Sequence, residues 1–274
     1  MRSNPARAET PVTALLAGLF PYRDVDTLVR CITPNQGSVT FLARGLRKAN
    51  SKLASALQPA DELELSSHAG KGGMQLLVGV HATKQHAVWR KSLDLTALYW
   101  FMAECAWLAS GDEESNKLTY QLTVNLLRNP PETESRHSAL CVFVLKLLGL
   151  HGLLPDLAVC LRDGHELAKG ETLHLSSSSE GLVGLEAYNK YYAPSGATLL
   201  RLEAARVPRW RKLAGSPLLE YATAESDEFD AAVLLQIAAR LLGDTAGHAV
   251  KSAEFLRQQW KLNDWGELMK AQRV

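Results

Sequence analysis

The stretch GSVTFLARGLRKANSKLASALQP, residues 37–59, decides the fold. Its first part, Ser38 to Leu42, alternates apolar and polar side chains, which predicts a β-strand with Val39 and Phe41 on one face. The pattern breaks at Gly45, and the segment around this glycine carries several cations and no acidic residue. These cations are Arg44, Arg47, Lys48 and Lys52. A strand, a glycine break and a basic loop together indicate positive charge presented from the edge of a small β-barrel.

Alternation continues on both sides of this stretch. Turn signals rich in Pro, Gly, Asn and Asp separate the alternating runs, and TPNQG at 33–37 is a strong one. We expect a further turn at 20–24 and inward-facing side chains at Leu63 and Leu65. The predicted strands are 12–19, 26–32, 38–43, 61–67 and 74–80. Five short strands in succession predict a closed or partly closed antiparallel barrel, for which the OB-fold is one solution.

From about Leu93 the apolar spacing becomes helical. The predicted helices are 93–110, 118–128, 134–150, 197–213, 227–242 and 249–262. Residues 155–190 instead combine glycines, a serine run and few large apolar side chains, which predicts a loop-rich insertion. The expected fold class is therefore α+β. The predicted domains are an OB-fold domain at 1–83, a helical domain in two parts at 84–154 and 191–274, and the insertion at 155–190.

The charge is unevenly distributed along the chain. Residues 1–83 hold nine Lys and Arg against six Asp and Glu, while the remainder holds 21 against 23. A mildly basic first domain followed by a mildly acidic remainder fits a module that binds polyanions.

The four cysteines lie far apart, and Cys105 and Cys141 fall in apolar helical patterns that favour buried free thiols. The N-terminal residues show no signal-peptide pattern, and no apolar run is long enough to span a bilayer. We therefore expect a cytoplasmic protein with reduced thiols and no membrane partner.

Three stretches of the chain fit the patterns of one known protein family. The first runs over residues 22–59, the second is LKLLGLHGLLPDLAVC at 145–160, and the third is LLGDTAGHAVKSAEFL at 241–256. The third is similar to the family's closing pattern through Gly247, Lys251, Ser252, Phe255 and Leu256. The matching positions of the first are Asp26, Leu28, Val29, Thr33, Gly37, Ala43, Arg44, Gly45, Arg47, Lys48, Ser51, Leu53, Leu57, Gln58 and Pro59. Together the three stretches resemble the RecO family of bacterial recombination mediators, which act in DNA repair.

The resemblance implies a DNA-binding mediator of recombination that is not an enzyme. Such a protein binds single- and double-stranded DNA, anneals complementary strands and assists loading of the RecA recombinase onto strands covered by the single-strand-binding protein. The implied partners are RecR, the single-strand-binding protein, RecA indirectly and, as a further candidate, RecF. The implied location is the cytoplasm, in association with the nucleoid.

The candidate DNA-binding residues are cations at the barrel edge. Neutralising phosphates with such side chains gives salt-sensitive binding that does not depend on sequence. The main group is Arg44, Arg47, Lys48 and Lys52, with Arg23 and Lys71 in flanking turns; a possible secondary group is Arg206, Arg209, Arg211 and Lys212. Aromatic side chains suited to base stacking are few, namely Phe20, Tyr22 and Phe41, and we expect Phe41 in the core. These features favour backbone contact without base reading.

Other interpretations of the cations remain open. The basic loop could be a solvated segment that keeps an edge strand from aggregating, and the second group could be a solvated helix face near a helix C-terminus. The alternative functions are a non-catalytic scaffold that docks RecR or the single-strand-binding protein, and an OB-fold protein that binds RNA. The sequence shows no catalytic triad and no phosphate-binding loop.

Many members of the family carry a four-cysteine zinc site in the insertion, built from two CxxC pairs. Here Cys160 is followed by Asp163 at its partner position, and the second pair would fall near Gly184 and Ala187. Structural zinc requires four Cys or His ligands, and neither His165 nor His174 restores a paired spacing. We therefore expect no metal and no cofactor in a degenerate zinc-finger-like subdomain. The side chains expected to hold it by packing are Leu161, Leu173, Leu175, Leu182, Leu185 and Tyr188.

Overall fold

The structure is a computed structural model that describes residues 11–168, 170–176, 178–218 and 226–272 of the 274-residue chain. The chain forms two compact units, one ending at Pro130 and the other beginning at Pro131. The helices before Pro130 thus belong to the same unit as the strands that precede them. The finer domain boundaries drawn from the sequence stay predictions.

The first unit is built on a closed five-stranded barrel. The strands are β1 (Val12–Tyr22), β2 (Asp26–Thr33), β3 (Gly37–Ala43), β4 (Glu62–Ala69) and β5 (Gln75–Lys84). They follow the order β1-β2-β3-β5-β4, and β4 pairs back onto β1. Neighbouring strands are antiparallel except β3 and β5, which run parallel. The predicted OB-fold is confirmed.

Alternate residues of each strand fill the barrel core. Phe41, Leu63 and Leu65 are buried there, and Val39 packs against them. Burying a large apolar side chain contributes about 1.5–3 kcal/mol, so the alternating pattern fixes which face of each strand points inward. The predicted inward positions of Phe41, Leu63 and Leu65 are confirmed by this core, and Val39 lies on the same face as Phe41 as predicted.

The turn predicted at 20–24 is wrong in its first half. β1 continues through Phe20 and Pro21 to Tyr22, and the turn occupies only residues 23–25. Pairing of β1 with β4 ends at Leu15, so the far side of Pro21 has no partner strand within the described ranges. Because proline lacks an N–H donor, it is tolerated at such an edge.

Among the described residues, four α-helices complete the first unit. They are α1 (Lys52–Ala56), α2 (Val88–Lys91), α3 (Leu93–Leu108) and α4 (Glu113–Arg128). α3 packs on β1 and β2, and its Tyr99 hydroxyl donates to the Leu16 carbonyl oxygen at 2.5 Å. α4 begins earlier than predicted because Asp112 caps it, accepting from the Ser115 amide at 2.8 Å.

The TPNQG turn fits tightly against the corner between α3 and α4. Thr33 Oγ1 accepts from the Gln36 amide at 3.1 Å and donates to the Gly37 carbonyl at 3.2 Å. Gly37 has a φ of +61°, and a Cβ there would lie 2.2 Å from Ser110 Oγ and 2.5 Å from Asn116 Oδ1. Both the backbone conformation and the space therefore require glycine at this position of the family pattern.

Buried carboxylates tie the barrel to its helices. Glu62 of β4 accepts from Arg128 Nε at 2.9 Å and Nη2 at 2.7 Å, and His86 Nε2 lies 3.0 Å from its Oε1. The neighbouring Asp61 accepts from Arg90 Nη1 at 2.5 Å. Burial by itself would raise the pKa of the Glu62 carboxyl, but the hydrogen bonds from Arg128 and His86 outweigh it and lower that pKa.

We expect Glu62→Gln to lower the free energy of unfolding of the first unit by about 1–3 kcal/mol at neutral pH, because Arg128 loses its charged partner. The folded state depresses the pKa of Glu62, so its contribution is present above the ordinary value of 4.5 and is lost as the pH falls below it. Urea unfolding at a series of pH values should therefore show the variant and the wild type converging in acid. Glu64→Gln, at an exposed position of the same strand, is the matched control. A gap between variant and wild type that stays constant with pH would contradict this assignment.

The second unit is mainly helical. Its core helix α5 (Arg136–Leu150) is buried along most of its length and packs against α7 and α8. The other elements are β6 (Leu173–Leu175), β7 (Leu182–Gly184), α6 (Leu185–Ala187), β8 (Leu200–Leu202), α7 (Arg206–Gly215), α8 (Glu228–Ala246), α9 (Lys251–Trp260) and α10 (Trp265–Ala271). Within the described ranges, no helix combines the length and apolar character that crossing a bilayer needs.

The insertion is more regular than its sequence predicts. The three short strands form an antiparallel sheet in the order β7-β6-β8, so the predicted helix at 197–213 is wrong in its first half. The residues Leu173, Leu175 and Leu182 are buried as expected. Leu161 and Leu185 are 46% and 42% exposed, so the prediction that they pack inside is wrong.

The predicted aromatic contribution to this packing is present. The ring of Tyr188 stacks on that of His174, with 3.9 Å between ring centroids. All four cysteines are buried free thiols, which confirms the prediction for Cys105 and Cys141.

Candidate nucleic-acid interface

The basic loop after β3 lines a cleft of about 610 Å³ at one rim of the barrel. Arg44 and Lys48 enter it from the loop, and Lys52 enters it from the first residue of α1. All three residues are exposed, and none of them forms an ion pair with a residue that the structure describes. We call these three residues the cation cleft. Their positive charge is available to an outside anion.

The loop that carries the cation cleft is held by its own backbone and by one carboxylate. Gly45 has a φ of +64°, and its amide donates to Asp26 Oδ1 at 2.7 Å. The Lys48 amide donates to the Gly45 carbonyl at 3.1 Å, which closes a turn. Leu46 is buried in the barrel core, so its flanking residues project outward. Among the residues that the structure describes, Asp26 is the one acidic residue lining the cleft, and the Gly45 amide uses part of its hydrogen-bonding capacity.

Arg47 connects this loop to the turn between β1 and β2. Its amide donates to the Val25 carbonyl at 3.0 Å, and its guanidinium donates to the carbonyls of Arg23, at 2.5 Å, and Asp24. Because backbone carbonyls carry no net charge, these contacts orient the Arg47 guanidinium without neutralising it. The contact brings Arg23 and Arg47, both exposed, to the rim that carries the cation cleft. The side chain of Lys71 lies outside the described part of the structure.

The possible secondary group is placed differently. Arg206 Nη1 lies 2.9 Å from Asp227 Oδ1 and 3.0 Å from Asp230 Oδ1, and Arg209 Nη1 lies 2.9 Å from Asp230 Oδ2. The Asp230 side chain is 0% exposed and also accepts from Trp210 Nε1 at 3.0 Å. Burial would raise the pKa of the Asp227 carboxyl, but the hydrogen bond from Arg206 and the neighbouring charges lower it. Two of the four cations are thus paired with carboxylates inside their own unit.

The remaining two members of that group also differ from each other. Arg211 donates through Nε to the Leu157 carbonyl at 2.7 Å and is partly buried, whereas Lys212 is exposed. The four residues therefore offer much less exposed positive charge than the cation cleft.

Sequence reasoning missed Arg30, on the outer face of the barrel, and Trp107, which contacts it. The Arg30 guanidinium lies 4.3 Å from the ring centroid of Phe20 and 4.1 Å from that of Trp107. Phe20 belongs to β1, Arg30 to β2 and Trp107 to α3. Trp107 follows Arg30 by 77 residues and cannot be matched to a strand position from spacing alone, although an isolated arginine in an alternating strand was a visible signal.

The insertion brings together three of the residues considered as metal ligands. Cys160 Sγ, an Asp163 carboxylate oxygen and a His165 ring nitrogen all lie within 4.8 Å of one another. These side chains already interact with one another, since His165 Nδ1 lies within hydrogen-bonding distance of Asp163 Oδ1, at 2.6 Å. The hydrogen bond from the Cys160 thiol is the main cause that lowers the pKa of Asp163. His174, by contrast, lies in β6 against Tyr188.

The residues present do not fit the four-cysteine zinc site of the family. Gly184 stands where a third cysteine would be, and a Cβ there would lie 2.6 Å from Glu171 Oε1 and 2.9 Å from His165 Nε2. The space next to Gly184 is therefore filled by a carboxylate and an imidazole of the insertion itself. Glu171 also accepts from the amides of Leu185, at 2.8 Å, and Ala168, at 3.0 Å.

We therefore expect the purified protein to hold far less than one zinc ion per chain, because a tetrahedral structural site needs four Cys or His ligands. Elemental analysis after gel filtration measures the metal content directly. Treatment with EDTA should leave the thermal unfolding midpoint unchanged. One tightly held zinc ion per chain, or unfolding caused by the chelator, would show that Cys160, Asp163 and His165 bind the metal after all.

Comparison with known proteins agrees with this architecture. The family description "Recombination protein O N terminal" matches residues 11–85, and "Recombination protein O C terminal" matches residues 90–222. The first match covers the barrel, and the second covers helices of both units and the insertion.

Several relatives bear the name DNA repair protein RecO. The one from Dehalococcoides mccartyi is 26% identical over 160 residues, which are 58% of this chain and 62% of that protein. The one from Bacillus pumilus is 26% identical over 188 residues, which are 66% of this chain and 71% of that protein. A relative from Listeria monocytogenes is 25% identical over 169 residues, which are 62% of this chain and 65% of that protein. The chain thus spans about three fifths of the first relative's length. With a five-stranded barrel, a helical remainder and both family matches in the same order, the chain belongs to the recombination protein O (RecO) family.

Proposed function

We propose that this chain is a DNA-binding mediator of recombinational repair that works without catalysing a reaction. It binds single- and double-stranded DNA at the cation cleft and the adjoining Arg23 and Arg47. It anneals complementary strands and assists loading of the RecA recombinase onto strands covered by the single-strand-binding protein. Membership of a family whose named relatives are DNA repair proteins supports this proposal.

The observation that carries the proposal is the convergence of Arg44, Lys48 and Lys52 on one cleft, without an ion pair to any described residue. Exposed cations that share a concave surface focus positive potential and attract a polyanion. The two carbonyl contacts of Arg47 keep a further charge at the same rim. Phosphate contacts of this kind position a nucleic acid without reading its sequence.

Charge neutralisation also gives a physical route to annealing. Two complementary strands repel each other through their phosphates, and a cationic surface that binds both lowers this repulsion and raises their local concentration. The step needs no nucleoside triphosphate. By family membership, the proposed protein partners are RecR, the single-strand-binding protein and RecF, with RecA reached indirectly.

Binding of labelled oligonucleotides, single-stranded and duplex, tests the proposal. We expect binding of both forms at low salt, weakening steeply as salt is added, and faster pairing of complementary strands without ATP. Absence of binding at low salt would contradict the proposal. A protein that binds RNA strongly and DNA weakly, or that binds RecR but no nucleic acid, would instead support one of the two alternative functions.

A further inference from the structure

We propose that Phe20, Arg30 and Trp107 form a stacking platform for an unpaired nucleobase, which gives the barrel a preference for single-stranded nucleic acid. This inference rests on the proposed function and adds to it a strand preference and the residues that produce it. We call these three residues the stacking platform.

In the stacking platform, the Arg30 guanidinium makes contact with two aromatic rings, those of Phe20 and Trp107. The guanidinium of Arg30 lies 4.3 Å from the Phe20 centroid and 4.1 Å from the Trp107 centroid, well within the range of a cation–π contact. No carboxylate of the described residues forms an ion pair with Arg30. The planar cation is therefore oriented by the rings while its charge stays available to a phosphate.

The ring of Phe20 packs against its own strand and is also open to solvent. It lies over Gly18 of the same strand, where an added Cβ would come within 2.6 Å of Phe20 Cε2. Despite this contact, Phe20 stays 38% exposed. A large apolar ring that packs against the strand yet stays exposed supplies a flat surface on which a base can stack.

The platform continues the surface that carries the cation cleft. In the β1–β2 ladder, Gly18 pairs with Arg30, Phe20 with Leu28, and Tyr22 with Asp26. Tyr22 therefore lies on the same outer face as Phe20, and the Arg23 guanidinium lies 5.2 Å from its ring centroid.

Asp26 itself lines the cation cleft. Arg30 follows Asp26 by four residues along β2, a distance of about 13 Å. This is about four times the axial rise per phosphate of one strand of B-DNA. One short segment of nucleic acid can therefore touch the cleft and the platform together.

A stacking platform discriminates between strand types. Bases of a duplex stack on one another, and exposing one of them costs a few kcal/mol. An unpaired base needs no such step. The cleft alone would hold both forms, whereas the platform favours the single strand.

The test compares oligothymidylate of about 15 nucleotides with an abasic oligomer of equal length and with a duplex, by fluorescence anisotropy. We expect the wild type to bind oligothymidylate about 5- to 150-fold more tightly than the abasic oligomer, for one stacked base. Phe20→Ala should remove most of this ratio and leave abasic binding unchanged. Arg30→Lys keeps the charge but loses the planar contact, so it should lower the ratio while the salt dependence stays the same. Leu19→Ala, which changes an exposed residue of the same strand that pairs with the inward-facing Val29, is the matched control and should keep the ratio.

The outcomes separate this inference from the proposed function. If the wild type binds both oligomers equally well, or if Phe20→Ala keeps the full ratio, the stacking platform is refuted and the cation cleft stands. If the wild type binds neither oligomer at low salt, the proposed function itself fails. Platform variants that lose a partner protein but keep the oligothymidylate ratio would show that the rings bind a protein side chain, which also overturns the inference.

Discussion

Replacing Asp230 by alanine is expected to lower the free energy of unfolding of the second unit by about 3–5 kcal/mol. The carboxylate is fully buried and accepts hydrogen bonds from Arg206, Arg209 and Trp210. Removing it leaves two guanidiniums beside a cavity. Arg206 keeps Asp227 at 2.9 Å and the exposed Glu203 at 3.5 Å, whereas Arg209 loses the carboxylate with which it pairs. Uncompensated charge in a buried site has a much larger cost than the loss of an exposed ion pair.

Urea unfolding followed by tryptophan emission measures this loss, since the indole of Trp210 donates directly to Asp230. The matched control is Asp244→Ala on the same helix, whose carboxylate is 70% exposed and lies 3.5 Å from Arg240. We expect it to change stability by no more than about 1 kcal/mol. If the alanine variant does not fold, Asp230→Asn keeps an acceptor for Trp210 and should show a smaller loss. A stability of either Asp230 variant equal to the wild type would contradict the structural role of this cluster.

The second large effect is expected at the cation cleft. The combined variant Arg44→Gln, Lys48→Gln and Lys52→Gln should bind single-stranded DNA about 10²- to 10³-fold more weakly than the wild type at roughly 50 mM salt. Each phosphate contact releases condensed counterions, and this release favours binding. A variant that loses the contact also loses that contribution to affinity. Glutamine keeps much of the length and polarity of the side chains, so the change isolates charge.

A matched control removes three other exposed lysines of the same unit, Lys84, Lys91 and Lys117, by the same substitution to glutamine. It has the same net charge as the cleft variant, but none of its residues lines the cleft. We expect it to retain most of the affinity. Equal losses in the two variants would show that net charge alone, and not the cleft, attracts the nucleic acid.

The barrel was predictable because its determinants are local. Alternating strands such as β2 and β3 were bounded by turn signals, and the inward positions of Phe41 and Leu63 followed from the period of two. The continuation of β1 through Pro21 could not be predicted, because it depends on where β4 stops pairing with β1. In β6 and β8, three-residue strands are too short to show a period, and their pairing is long-range. α10 was missed although Asp264 and Glu267 form a capping box that the sequence displays.

In the candidate site too, local features were predictable from the sequence and long-range contacts were not. The run that places Arg44, Lys48 and Lys52 together is contiguous, so their shared surface could be predicted from the loop alone. The pairing of Arg206 with Asp227 and Asp230, about 20 residues away, depends on how α7 meets α8 and could not be predicted from local spacing. The contact of Arg30 with Trp107 likewise depends on how α3 packs on β2.

The most direct test of the central claim is the salt dependence of single-stranded DNA binding, measured for the wild type and for the cleft variant. In a plot of log affinity against log salt concentration, each phosphate contact contributes a slope of about −0.7 on a single strand. We predict that the cleft variant's slope is shallower than the wild type's by about 2. Parallel lines for the two proteins would contradict the claim that Arg44, Lys48 and Lys52 contact phosphates.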